Sequence, residues 1–211
     1  MSQNFPMSGN VLGAFVTPML LRRWPESAEL NRRLRELILE NERQDAGMNR
    51  SNVGGWHSKD DFFRWKDPAI AELAERVAAG TQEITRQVCG EAIKGRGADM
   101  SISGWANVSR DRAYNSLHNH LRYTWSGVYY VTLGESDPAV RDSGAIEFLD
   151  PRIGIDSTLL PGAAFGPFLR LQPEPGLMLM FPSWLQHWVH PFHGTGERIS
   201  IAFNVTLTFA D

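Results

Sequence analysis

The chain has a single cysteine, Cys89, so no internal disulfide can form and a reducing cytoplasm is the expected setting. Long apolar runs are also missing. Gly176-Leu177-Met178-Leu179-Met180-Phe181 falls far short of the roughly 20 residues that a bilayer helix needs. The opening Met1-Ser2-Gln3-Asn4-Phe5-Pro6 lacks the basic region and apolar core of a secretory signal. Nor is there an excess of positive charge. The 21 Lys and Arg stand against 24 Asp and Glu, a formal net charge of -3, so no general field exists to hold a phosphate backbone and nucleic acid is not an expected partner. Repeats, low-complexity tracts and Pro/Ser linkers are absent too, which points to one soluble domain over residues 1–211.

The hydrophobic period changes about halfway along the chain. Residues 11–21 read as an extended opening. Pro25 then marks a helix start, with Leu30, Leu34, Leu37 and Ile38 at helical spacing. A second helix has Asp67 as N-cap, Pro68 at its first position, a stripe of Ile70, Leu73, Ala74, Val77, Ile84 and Val88, and Gly90 as its stop. Cys89, at the end of that stripe, reads as a small buried hydrophobe. Between the helices, Ser51-Asn52-Val53-Gly54-Gly55-Trp56-His57-Ser58 reads as a shaped loop. Short β-type runs follow at 100–108, 124–133, 145–149, 176–181 and 199–209, with no crossover helix between them. That pattern predicts antiparallel pairing in a sandwich or barrel, with a helical buttress over about 1–98 and a β core over about 99–211.

Five of the six histidines fall in two groups, His118-Asn119-His120 and His187 to His193. Residues two apart on a strand share a face, so His118 and His120 can present imidazoles to one ion, and His187 can arrive from a neighbouring strand. The competing reading is loop or core histidines satisfied by backbone. Arg198 and Ser200 share one face at the start of an apolar strand. A guanidinium facing inward needs an anion, either a bound carboxylate or a structural partner such as Asp150 or Glu147. Tyr129 and Tyr130 must point to opposite faces, so at most one meets such a pocket. Trp125, Trp184 and Trp188 read as wall packing, and His190 and His193 as surface loop residues.

In order and spacing, His118-x-His120, Ser126-Gly127-Val128-Tyr129-Tyr130-Val131, Gly144-Ala145-Ile146-Glu147-Phe148, His187, Pro191 and Arg198-x-Ser200 resemble the iron(II)/2-oxoglutarate-dependent oxygenases. More narrowly they resemble a group of short bacterial and phage members, which also show stretches like Ser51 to Ser58 and Phe148-x-Asp150-Pro151-Arg152. The resemblance spans about residues 10–207. It implies a mainly β fold with flanking helices: a double-stranded β-helix, that is, a jelly-roll, cupin-like barrel buttressed by the N-terminal helices. It implies Fe(II) held by residues matching the His-x-Asp/Glu and distal His of that superfamily, here His118 and His187. It also implies a far-carboxylate site for 2-oxoglutarate at Arg198 and Ser200; Asn107, on the preceding strand, is a candidate for the near end of the cosubstrate, and Tyr130 for a further contact.

Position 120 departs from that pattern, holding an imidazole where most of the superfamily has a carboxylate. Either the metal takes three neutral imidazoles, or Asp150 supplies a carboxylate and His120 stands behind it. Three imidazoles would leave Fe(II) at +2, which a 2-oxoglutarate dianion neutralises. The implied activity is a dioxygenase using O2, forming succinate and CO2, and by default hydroxylating a small-molecule or peptide substrate that the motifs do not name. Trp56, His57 and Arg152, with the segment 153–168, are the expected substrate rim. The alternatives are a cupin-like three-His metal-binding or sensing protein, and a non-haem dioxygenase independent of 2-oxoglutarate.

Overall fold

The computed structural model describes residues 15–152 and 166–210. A short strand β1 (Leu20–Arg23) leads into α1 (Ala28–Gln44), followed by the two-residue strands β2 (Asn52–Val53) and β3 (Trp56–His57). Helix α2 (Pro68–Cys89) begins where the sequence marks it, with the Asp67 carboxylate accepting from Ala69 N at 2.9 Å and Pro68 in the first turn. It ends before Gly90, whose φ of 54° suits glycine. Helix α1 starts later than Pro25 suggests. Trp24 N donates to Gly176 O at 3.0 Å, so the chain there is still tied to the sheet and helical geometry begins only after Ser27. Cys89 is half-buried rather than enclosed, because the stripe of α2 runs out before it and Val88 is exposed.

Strands β4 (Ala98–Ser109), β5 (Tyr114–His118), β6 (Trp125–Ser136), β7 (Ile146–Leu149), β8 (Phe168–Leu171), β9 (Leu177–Pro182), β10 (His187–Val189) and β11 (Gly194–Phe209) follow. They form a six-stranded sheet in the order β1-β9-β6-β11-β4-β3 and a five-stranded sheet in the order β2-β5-β10-β7-β8. Every neighbouring pair of strands in the two sheets is antiparallel.

The expected double-stranded β-helix barrel is not what forms. The architecture is a mixed α/β one of two open sheets, and among the described residues no ladder joins one sheet to the other. The physical reason lies at the edges. The large sheet ends in β1 and β3, and the small one in β2 and β8, strands of two to four residues that cannot carry a closing ladder. Alternating hydrophobicity reports which side chains are covered, not whether a sheet curls to meet itself.

Alternation along the long strands separates two cores. Ala106, Val108, Tyr129, Val131, Met178, Met180, Ile199, Ile201, Phe203 and Val205 face the helices and meet Leu34, Ile38, Ile70, Leu73 and Val77. Two polar clamps fasten this layer: Tyr129 Oη donates to Asn31 Oδ1 at 2.7 Å, and Trp125 Nε1 to Thr85 Oγ1 at 2.9 Å. The opposite face of the large sheet looks toward the small one, where Val128, Tyr130, Leu179 and Phe181 pack with Ile146, Phe148 and Leu185. Polar residues gather on this second face.

A candidate metal and anion site between the sheets

His187 lies on β10, directly opposite His118 on β5 and Phe148 on β7. Cross-strand partners share a face, so the two imidazoles meet, their ring centres 4.4 Å apart. His120 is not on the strand, as the two-residue period supposed, because β5 ends at His118. The chain after it turns back, pinned by His120 N donating to Ser183 O at 2.8 Å, and brings the His120 ring to 4.9 Å from His118 and 5.2 Å from His187. One ligand nitrogen from each of the three lies within 4.8 Å of the others.

His187 Nδ1 donates to Leu185 O at 2.9 Å and His118 Nδ1 to Ser116 O at 2.7 Å, since a carbonyl only accepts. His187 Nε2 is left with its lone pair, and that of His118 faces Ser51 Oγ at 3.5 Å. Burial, and then the neighbouring His118, bring His120 down to about 4 and His187 down to about 3. Burial lowers His118 as well. At neutral pH the cluster is three uncharged imidazoles, the protonation state in which a borderline cation is bound.

The large sheet supplies the rest. Asn107, Ser200 and Tyr130 stand side by side on β4, β11 and β6, with Arg198 two residues along β11 from Ser200. All four line one slot with the three histidines. Arg198 is 2% exposed, its guanidinium 5.4 Å from the centre of the Tyr130 ring. Burial lowers its pKa and pushes the Tyr130 phenol up to about 12. Among the described residues, Arg198 Nε, Tyr130 Oη and Asn107 Oδ1 are buried without a hydrogen-bond partner. Gly144, at φ 66°, passes so close that a Cβ there would lie 3.0 Å from Arg198 Cδ and Nε.

Neither structural partner considered for Arg198 reaches it. Glu147 faces the outside of the small sheet, where it accepts from Arg170 Nε at 2.8 Å, Trp188 Nε1 at 3.1 Å and His190 Nε2 at 3.0 Å. Asp150 is held by Arg152, Nε to Oδ1 at 2.9 Å, and is not among the clustered ligand atoms. His190 is thus a partner of Glu147 rather than a free surface group.

The slot measures about 50 Å³. On the other side of Ser51, Trp105, His118 and His120 lies a hollow of about 390 Å³, bordered also by Arg50, His57, Asp60, Tyr123 and Asn204. His57, one of the expected rim residues, borders this hollow. Trp56 does not: it turns to the opposite face and donates from Nε1 to Asp45 O at 2.8 Å. Most of the expected rim segment, 153–165, lies outside the described residues. Trp105 was missed by the sequence reading, although its two-residue step from Asn107 along β4 was the signal that could have found it.

A family described as "Putative 2OG-Fe(II) oxygenase" matches residues 103–204, which hold the three histidines, the arginine and their neighbours. The matched stretch, 102 of the 211 residues, is similar to the 2OG-Fe(II) oxygenases. Solved structures of similar fold include a Pseudomonas putida prolyl-4-hydroxylase, at 17% identity and TM-score 0.58, covering 89% of this chain and 91% of that one. HygX from Streptomyces hygroscopicus, with nickel and 2-oxoglutarate bound, has 13% identity and TM-score 0.59 over 90% of this chain and 83% of that one. A Trichoplax adhaerens prolyl hydroxylase in complex with a peptide fragment has 11% identity and TM-score 0.58 over 89% and 83%. No curated protein matches in sequence. Among the described residues, no helix of this chain is long and apolar enough to cross a membrane.

Proposed function

We propose that this chain is a 2-oxoglutarate-dependent oxygenase that holds Fe(II) on His118, His120 and His187 and seats 2-oxoglutarate against Arg198, Ser200, Asn107 and Tyr130. The observation that carries the reading is the buried guanidinium of Arg198, which meets no carboxylate among the described residues and shares its slot with three neutral imidazoles. An uncompensated buried charge is strongly unfavourable. With a divalent cation added nearby the slot would be more positive still, and a dicarboxylate satisfies both charges at once.

The unpartnered atoms match such a ligand. Arg198 offers a planar fork to the far carboxylate, Ser200 and Tyr130 offer hydroxyls beside it, and Asn107 can present its amide N–H. When bound, Fe(II) and 2-oxoglutarate supply oxidation of a substrate C–H by O2, with succinate and CO2 as co-products and hydroxylation as the outcome. The protein's share is placement and exclusion of water. Phe148 and Phe181 pack against His187 with ring centres at 5.7 and 4.8 Å and form an apolar wall around the imidazoles. Substrate approaches from the larger hollow, past His57 and Tyr123. The slot is far smaller than an ordinary ligand pocket of roughly 300 Å³ or more, so seating the dicarboxylate parts its walls.

The test is anaerobic addition of Fe(II) and then 2-oxoglutarate to the protein, following the visible charge-transfer band of the chelate. Wild type is expected to develop the band, and Arg198→Ala to need at least about tenfold more cosubstrate, the loss typical of one charge-assisted bond. Equal responses overturn the assignment of the arginine. A ligand set with no carboxylate is the one observation favouring a plain metal-binding protein. In that case the metal binds and 2-oxoglutarate gives no band.

A further inference from the structure

Two of the three imidazoles are aimed by the backbone, through the carbonyls of Leu185 and Ser116. The third has no such device, since neither ring nitrogen of His120 makes a hydrogen bond among the described residues. Metal-binding histidines are ordinarily oriented by an acceptor on the second nitrogen, so something else must hold this ring. Flat contacts do. His187 covers one side of His120 at 5.2 Å between ring centres and an interplanar angle of 10°, and Trp105 stacks on it at 5.5 Å and 21°. The indole is itself backed by His57, at 5.2 Å and 12°. His57, Trp105, His120 and His187 form one column of nearly parallel rings, drawn from β3, β4, the turn after β5, and β10.

The backbone explains how the column assembles. Trp105 lies on the slot-facing side of β4, two residues from Asn107, and pairs across the ladder with Ala202, whose methyl leaves room for the indole. His57 on β3 pairs with Asn107 and so arrives beside it. The His57 ring is fixed in turn by its Nδ1, 2.6 Å from Ser58 O. A rigid, buried ring thus backs a wide flat one, which backs the imidazole that lacks a hydrogen bond.

We propose that Trp105, supported by His57, is the positioning residue for His120: ring stacking replaces the missing hydrogen bond and fixes the third imidazole toward the metal. The inference rests on the three-histidine metal site proposed above. It also accounts for a buried histidine and a tryptophan that the binding of metal and cosubstrate leaves unused.

Co(II) serves as the probe, added to the metal-free protein and followed by its visible d–d bands, which report ligand geometry independently of turnover. Trp105→Phe keeps a flat ring and is expected to retain the wild-type bands. Trp105→Leu is expected to bind Co(II) roughly 10–100-fold more weakly, the usual cost of losing an orienting partner, with altered bands. His57→Leu, one ring further out, is expected to weaken binding by about 2–12-fold, the worth of one aromatic contact. It also serves where Trp105→Leu does not fold. If a folded Trp105→Leu matches wild type in affinity and bands, or if His57→Leu does so where it stands in, the stacking role is overturned and the metal site stands. If wild type binds no Co(II), the three-histidine reading falls, and the positioning role with it.

Discussion

At Arg198 the chain carries a positive charge that no carboxylate in the described residues neutralises. The sequence indicated that this side chain faces inward, through the two-residue step to Ser200, but it left Asp150 and Glu147 open as partners. Only coordinates could show Glu147 on the outer face among Arg170, Trp188 and His190, and Asp150 turned to Arg152. The same facts put His120, not Asp150, in the proposed ligand cluster. Asp150→Asn is expected to leave Fe(II) affinity within about threefold, in line with a substitution outside the ligand cluster. His120→Ala is expected to cost more than about 100-fold, beyond the range of an outer partner. Equilibrium dialysis of both variants against Fe(II) under anaerobic conditions checks this, and the reverse order would restore the carboxylate.

Elements long enough to show a period were legible. Helix α2 is found at the residues its N-cap, first-turn proline and terminal glycine indicate, and β4, β6, β9 and β11 cover the apolar runs read as strands. Strands β5, β8 and β10 were not, being three to five residues long and mixed in polarity. Their geometry comes from their neighbours, yet β5 and β10 deliver two of the three histidines. Gly127 on β6 shows how tightly the large sheet is built. A Cβ there would lie 2.4 Å from Phe203 Cζ and 2.5 Å from Leu179 O, in a place where backbone cannot yield cheaply. Gly127→Ala is expected to destabilise the protein by about 1–3 kcal/mol or more, as overpacking does. Urea unfolding measures it, and an unchanged midpoint would contradict the packing.

Across the whole molecule, burying three imidazoles without protons makes stability depend on pH. His120 is brought down to about 4 and His187 to about 3, while the unfolded chain returns both to the ordinary 6.5. Between those limits the unfolded state binds more protons than the folded one. Stability therefore rises with pH up to about 6.5 and is lost progressively as pH falls from there. The melting temperature of metal-free protein is expected to drop on going from about pH 7 to about pH 5, and to drop less in a His187→Gln variant. A flat profile in wild type would mean that the imidazoles titrate in contact with water. Bound metal should keep the imidazoles unprotonated and reduce the slope, since metal and protons compete for the same lone pairs.

What the linear order of residues determined was local or periodic: two amphipathic helices, the long strands, the face shared by Arg198 and Ser200, and the opposed tyrosines at 129 and 130. These follow from backbone geometry, which repeats every 3.6 or two residues whatever surrounds it. The tertiary structure decided what depends on distance between remote segments. It left both sheets open, because short edge strands cannot close a barrel. It also turned His120 back toward His187 beyond the end of a strand and built the ring column that holds it, through contacts between chain segments that no local period specifies.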